Sequence, residues 1–168
     1  WPKQLRLSLN VTPADLAAGT FANDIAAIMT DAGFDPERLT LEITEQALLT
    51  DIERSARTLS KLVDLGIRVA LDDFGAGFCN FRYLKLLPLH YLKLDQTMIE
   101  DIVNDPRDLA VFRGIIAMAQ ALDLTVIAEG VESEEQRRLV AQEGCAFYQG
   151  FLRAKPMDAD DFLALVTP

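Results

Sequence analysis

Two adjacent carboxylates, Asp72 and Asp73, close an apolar run in the stretch Ile67 to Gly77, IRVALDDFGAG, and lead into a glycine-bearing turn. Burying two neighbouring carboxylates at a strand end is costly unless a cation or hydrogen-bond donors compensate. In isolation the stretch reads first as an acidic turn, because Asp and Gly are ordinary turn residues, and second as half of a cation site. Polar residues at comparable places shift that balance: Asn10, Glu42, Lys93 with Asp95, Glu129 and Gln149 each close a short apolar run, and Glu132 follows Glu129 closely. Each has an ordinary alternative. Asn10 and Gln149-Gly150 suit turns, Glu42 suits a solvated strand, Asp95 suits an ion-pair partner for Lys93, and Glu129 with Glu132 suits an acidic helix start. Their joint recurrence at six strand ends is what argues for a shared site. Carboxylates with an amide oxygen, and neither imidazole nor thiolate, suit Mg²⁺ or Mn²⁺ over zinc. Adjacent aspartates can hold two ions about 3.5–4 Å apart when one carboxylate bridges them, an arrangement suited to phosphoester hydrolysis. A nearby lysine can hold the attacking water or the phosphate oxygens. The GAG turn is too short for a phosphate loop.

The elements that must carry these residues alternate along the chain. Leu5 to Val11, Leu39 to Ile43, Ile67 onward, Tyr91 to Leu94, Thr125 to Ala128 and, more weakly, Cys145 to Tyr148 read as strands. Between them, helices are expected over Phe21 to Ala32 and over a segment capped by Thr50 and Glu53 that runs to Leu65. Further helices are expected over Asn80 to Leu87, over Pro106 to Ala121, after Ser133 with Gln136, and after Asp158. Strand then helix, six times, indicates a parallel α/β sheet, either an open doubly wound sheet or a (β/α) barrel. Eight units in about 250 residues make a full barrel, so six in 168 residues correspond to a barrel lacking its N-terminal strands. Parity supports an inward polar face. Asn10 pairs with Ser8, Glu42 with Thr40, Asp72 with Ala70 and Lys93 with Tyr91, while Leu7, Leu9, Leu41, Ile43, Val69, Leu71, Leu92 and Leu94 take the parity expected to pack on outer helices. The last two strands are less clean, since Ile127 shares parity with Glu129.

Composition narrows the function classes. With 26 Asp and Glu against 16 Lys and Arg, the net charge of -10 argues against a polymeric nucleic-acid partner. It does not oppose a phosphate ligand carried by metal ions, which reverse the local field. One histidine, His90, excludes a histidine dyad or a histidine-rich zinc site. Two isolated cysteines, Cys79 and Cys145, form no disulfide framework and fit a reducing cytoplasm. No apolar run reaches the ~18 residues of a membrane span. The chain starts at Trp1 without Met, which reads as part of a longer protein.

The stretches LSLNVTP (Leu7 to Pro13), LEITE (Leu41 to Glu45), ALDDFGAGF (Ala70 to Phe78), YLKLLP through YLKLD (Tyr83 to Asp95), IAEGVE (Ile127 to Glu132) and YQGFLRAKPM (Tyr148 to Met157) resemble, in order and spacing, the EAL-domain phosphodiesterases of bacteria, which hydrolyse cyclic di-GMP. The resemblance covers nearly the whole chain, 1–168. It implies a TIM-like barrel with one antiparallel strand, of which about six of eight β/α units lie here. It implies two divalent cations, Mg²⁺ or Mn²⁺, with Asn10, Glu42 and Asp72 on one and Asp72, Asp73 and Glu129 on the other. Catalytic roles then fall to Lys93, Glu129, Asp72 and Asp73, with Lys93 on the nucleophilic water. Asp95, Gln149 and Glu132 lie behind the ligands or against substrate. Glu45 steadies the loop after the paired aspartates, Phe74 to Phe81, with Gly75 and Gly77 in it.

The activity implied is opening of cyclic di-GMP to linear pGpG in a cytoplasmic homodimer, with a sensory or cyclase-like domain upstream. The sequence departs from the family at three places. The name-giving Glu-Ala-Leu segment, which supplies a ligand of the first metal, falls by spacing upstream of Trp1. Cys79-Asn80 stand where two serines are common, and His90 where Asp is frequent. Two rivals follow: an inactive EAL domain acting as a cyclic di-GMP receptor, motivated by the absent Glu, and another metal-dependent barrel enzyme such as one forming an enolate. The full downstream set of ligands and the paired aspartates weigh against them.

Overall fold

In the computed structural model, which describes residues 5–48, 51–77 and 81–166, six strands form one sheet in the order β1-β2-β3-β4-β5-β6. They are β1 (Leu7–Val11), β2 (Leu39–Thr44), β3 (Arg68–Phe74), β4 (Tyr91–Leu94), β5 (Thr125–Ala128) and β6 (Phe147–Tyr148). The five pairings are all parallel. The antiparallel strand that the family resemblance implies is not among them. Sequential order with no reversal removes the doubly wound alternative, whose strand order must switch direction. What remains is an arc of a barrel, each strand laid beside the last.

The helices return the chain across the sheet's outer face. They are α1 (Pro13–Ala17), α2 (Phe21–Ala32), α3 (Ile52–Asp64), α4 (Arg82–Leu86), α5 (Pro106–Ala121), α6 (Glu134–Gln142) and α7 (Ala159–Val166). Leu59 and Leu62 of α3, and Phe112, Ile116 and Ala119 of α5, are buried with Leu41, Ile43, Val69, Leu71, Leu92 and Leu94 in one core. The parity expected of those strand leucines holds in β2, β3 and β4, and complete burial of each such side chain stabilises by roughly 1.5–3 kcal/mol. No helix of the described residues is long and apolar enough to cross a membrane.

Several expectations need correction. Leu7 and Leu9 do not pack under helices; they are 47% and 43% exposed. The reason is position, since β1 ends the sheet and has β2 as its single neighbour. Helix α3 is capped by Asp51, whose carboxylate accepts from the Arg54 N–H at 2.9 Å; Thr50, expected there, lies outside the described residues, as does Asn80 before α4. The last strand shortens to two residues, because the Cys145 N–H donates to Val140 O at the end of α6. Phe74 is not a loop residue. It closes β3, is fully buried, and sits 6.2 Å from the Phe81 ring.

His90 joins β3 to β4 away from the polar end. Its Nδ1 accepts from Val69 N–H at 3.2 Å, its own N–H donates to Val69 O at 2.8 Å, and its carbonyl accepts from Thr125 N–H at 3.0 Å. An accepting Nδ1 requires the neutral ring. Burial, aided by the Arg68 guanidinium, holds His90 below the ordinary histidine value of 6.5. A depressed folded pKa means that the unfolded chain takes up the proton first. The contribution is therefore present above about 6.5 and is lost as pH falls from there through the folded value. Asn at this position can accept the same N–H without titrating. Thermal melts of H90N should show a shallower loss of stability between pH 7 and 5 than the parent; parallel curves would count against the assignment.

Candidate metal centre

The polar strand ends meet at one end of the sheet. Parallel register sets Asn10 beside Glu42, and Thr44 beside Asp72. On the other side Lys93 lies beside Ile127, so Glu129, two residues on, shares the face of Lys93. The apolar Ile127 below a polar Glu129 is then ordinary for a barrel interior, which is filled by branched side chains beneath its catalytic rim.

Consecutive strand residues point to opposite faces, so Asp72 and Asp73 should part company. They do not, and a β-bulge is the cause. Leu71 pairs with Leu92 and Phe74 with Leu94, which leaves Asp72 and Asp73 together opposite Lys93. Asp73 takes up the extra residue at φ 55°, a left-handed conformation that Asp tolerates better than most side chains. Its N–H donates to Asp72 Oδ1 at 3.1 Å. The bulge returns Phe74 to the core and frees Asp73 to remain at the rim. Carboxylate oxygens of Asp72, Asp73 and Glu129 consequently lie within 4.8 Å of one another.

Lys93 is 5% exposed and sits at the centre. Its ammonium lies 2.7 Å from Glu42 Oε2, 2.7 Å from Asp72 Oδ1 and 2.9 Å from Glu129 Oε1, so its three N–H donors meet three carboxylates. Burial works against this charge, but the bonds from Asp72, Glu42 and Glu129 prevail and hold the ammonium well above its ordinary range. Burial pushes the Glu129 carboxyl upward despite Lys93, with Asp72 and Glu42 adding repulsion. Asp73 is raised too, by burial and then by Asp72 and Asp95. With Asp73 beside the three carboxylates on Lys93, four carboxylates share one ammonium, a surplus of negative charge that Asp72, Asp73 and Glu129 could place on a cation. The donor set is all oxygen, as Mg²⁺ or Mn²⁺ requires.

Beside the cluster opens a cleft of about 310 Å³, lined by Asp73, Asp95, Glu129, Glu132 and Gln149 among others. Five residues expected from sequence therefore share one cavity. Glu42 joins them through Lys93. Asn10 is exposed on β1 next to Glu42, Glu45 opens a 3₁₀ turn (Glu45–Leu48) after β2, and Phe74, Gly75 and Gly77 stand outside the cleft. The Gly75 Cα is packed against the Met98 side chain, while Gly77 has open space around it.

Sequence reading missed Gln96, Gly130, Gly150 and Phe151 in this lining. The two glycines carry a signal: each directly follows a polar strand-end residue. A Cβ on Gly130 would collide with Gln96, and one on Gly150 with the Val131 backbone. Gln149 is anchored by its N–H to Ala128 O at 2.8 Å, and its carbonyl accepts from Val131 N–H at 3.1 Å. Phe151 carries no such signal. It is exposed, with the Lys155 ammonium 5.4 Å from its ring centroid.

Similarity to known proteins bears on this arrangement. The chain is 37% identical over 159 residues to the cyclic di-GMP phosphodiesterase RocR of Pseudomonas aeruginosa, which covers 95% of the chain and 41% of RocR. The solved EAL domain of Mycobacterium smegmatis DcpA superposes with a TM-score of 0.90 at 37% identity, over 96% of this chain and 72% of that one. Klebsiella pneumoniae BlrP1, solved as a manganese and cyclic di-GMP complex, superposes with a TM-score of 0.83 at 28% identity, over 90% of this chain and 39% of that one. The chain spans 41% or less of the length of the curated relatives it matches. Residues 1–156 match the EAL domain family, whose solved members share this arc of parallel strands and helices, and the chain belongs to that family.

Proposed function

We propose that this domain hydrolyses cyclic di-GMP to linear pGpG with two bound divalent cations, Mg²⁺ or Mn²⁺. The observation that carries the reading is the convergence of Asp72, Asp73 and Glu129 within 4.8 Å, beside a lysine bonded to three carboxylates. Its relative RocR is a cyclic di-GMP phosphodiesterase, which supplies the substrate class. Asn10, Glu42 and Asp72 would hold one ion, and Asp72, Asp73 and Glu129 the other, with Asp72 shared. Such ions, when bound, supply a hydroxide nucleophile and neutralise charge on the phosphoryl oxygens.

The chain's own groups then have defined work. Lys93 spends its three N–H donors on Glu42, Asp72 and Glu129; where those carboxylates turn to the ions, an N–H would be released to hold the attacking water, and the ammonium would offset negative charge building on the phosphate. Its ammonium, held protonated against burial by the bonds to those carboxylates, acts as a donor. Glu129, which accepts from Lys93 at 2.9 Å, would keep the lysine and the ion it shares with Asp72 and Asp73 in fixed relation. Asp95 stays fixed in the wall of the cleft because its Oδ1 accepts from Thr97 N–H at 2.9 Å and Thr97 Oγ1 at 2.6 Å. Gln149 and Glu132 border the space for the nucleotide. The reading includes a cytoplasmic, homodimeric protein with further domains upstream.

Incubation with cyclic di-GMP and Mn²⁺, followed by chromatography of the products, tests the reading. Metal-dependent appearance of pGpG is expected, with none in EDTA. Tight binding of cyclic di-GMP without turnover would replace the enzyme by a receptor, and neither binding nor turnover would sink both.

A further inference from the structure

Gln136 lies on the first turn of α6, where its sequence role is a helix cap. Its Oε1 accepts from Glu132 N–H at 2.9 Å and from Ser133 N–H at 3.0 Å, and its own N–H donates to Ser133 Oγ at 3.1 Å. That reciprocal pair is a capping box. The other half of the side chain does something a cap does not need. Nε2 donates across to Ile99 O at 3.3 Å and Glu100 O at 3.5 Å, in the segment after β4. One end of the amide meets only donors and the other only acceptors, so its orientation is unambiguous.

The two segments so joined both line the cleft. The first bears Glu129, Gly130 and Glu132, and the second Asp95 and Gln96. Ile99, the target, is fully buried and therefore a fixed point. Gly130 is packed directly against Gln96, and Glu129 N–H donates to Leu94 O at 3.0 Å. Among the hydrogen bonds of the described residues, those of Gln136 Nε2 join the Glu132 end of that segment to residues 99 and 100. We infer that Gln136 is a positioning residue, whose amide ties the segment carrying Glu129 and Glu132 to the segment carrying Asp95 and so sets the spacing of the cleft. The inference rests on the reading of that cleft as the metal and substrate site.

Two variants separate the tie from the cap. Gln136→Glu keeps an acceptor for Glu132 and Ser133 at a helix N-terminus, where a carboxylate is favourable. It cannot donate to Ile99 or Glu100, and sets an anion against two carbonyls. Ser133→Ala removes the acceptor for Gln136 N–H and leaves the tie. Amide hydrogen exchange on the metal-free protein reads the tie directly, and calorimetric titration with Mn²⁺ reads its effect on the site. Gln136→Glu should speed exchange over residues 96–100 and 130–132 and raise the Mn²⁺ dissociation constant about tenfold, the lower end of what groups supporting metal ligands achieve. Its melting temperature should stay near the parent's. Ser133→Ala should lower the melting temperature and leave both other readouts unchanged. Parental exchange in Gln136→Glu overturns the inference, as do equal changes in exchange and affinity for both variants. A parent chain that takes up no Mn²⁺ defeats the reading of the site instead, and the exchange arm still decides the tie.

Discussion

Asp72→Asn is expected to abolish turnover while leaving the metal-free protein as stable as the parent, or more so. Asn matches Asp in shape, so the bulge that presents positions 72 and 73 opposite Lys93 is retained. What disappears is one negative charge from a crowded set. In the metal-free protein Lys93 keeps Glu42 and Glu129 as partners at 2.7 and 2.9 Å, and the repulsion that Asp72 exerts on Asp73 and Glu129 is relieved. Sites that concentrate like charge for function sacrifice stability in doing so, and neutralising one member commonly returns some of it. The loss appears when metal is added. Asp72 would be the carboxylate shared between the two proposed ions, and an amide oxygen would be a much weaker bridge. Release of pGpG should fall by more than about a thousandfold, at the upper end of the effect of one group that stabilises a transition state. Addition of Mn²⁺ should raise the melting temperature of the parent but not of the variant. Retention of metal-dependent turnover in Asp72→Asn would remove the bridging role and with it the two-ion reading.

The strand ends were legible from sequence because each combines two independent signals, an apolar alternation and a polar terminus. β4, α5 and β5 have the boundaries that periodicity, Pro106 and the turn residues indicate. Capping chemistry was legible where donor and acceptor are three residues apart, as in Ser133 and Gln136. It misled at α3, where Thr50 and Asp51 are both competent caps and local pattern alone does not choose between them. Three features depend on information that periodicity does not carry. Exposure of Leu7 and Leu9 depends on which strands lie beside β1, a matter of sheet order. Convergence of Asp73 with Asp72 depends on a bulge with a left-handed residue, against the two-residue alternation of a strand. The Gln136 tie links residues 37 and 36 positions apart through one amide. Ile127 shows the opposite case. Its parity looked inconsistent, and the sheet makes it regular by giving the barrel interior an apolar floor below the polar rim.

Lys93→Met is expected to produce the reverse pattern from Asp72→Asn: a metal-free protein that is markedly less stable, restored by divalent cations, and inactive in either state. Met fills nearly the volume of the lysine stem, so packing between Leu92 and Leu94, both fully buried, changes little. The charge balance changes greatly. Glu42, Asp72 and Glu129 have side chains 12–13% exposed, and all three lose the ammonium that now satisfies them. Removing one partner of a buried ion pair costs about 3–5 kcal/mol, and burial already disfavours the ionised form of Glu129. At roughly 2–4 °C per kcal/mol for a chain of this size, a fall in melting temperature of about 10 °C is expected in EDTA. Mn²⁺ should then stabilise the variant more than the parent, because the ions replace a counter-charge that the parent already has. Turnover should not return with stability, since the ions do not replace the N–H that holds the attacking water. Melting curves with and without Mn²⁺, read beside pGpG release, separate these effects. Equal melting temperatures for parent and Lys93→Met in EDTA would show that Lys93 does not hold the carboxylates together. Restored turnover on addition of metal would show that its part in the reaction is charge balance alone.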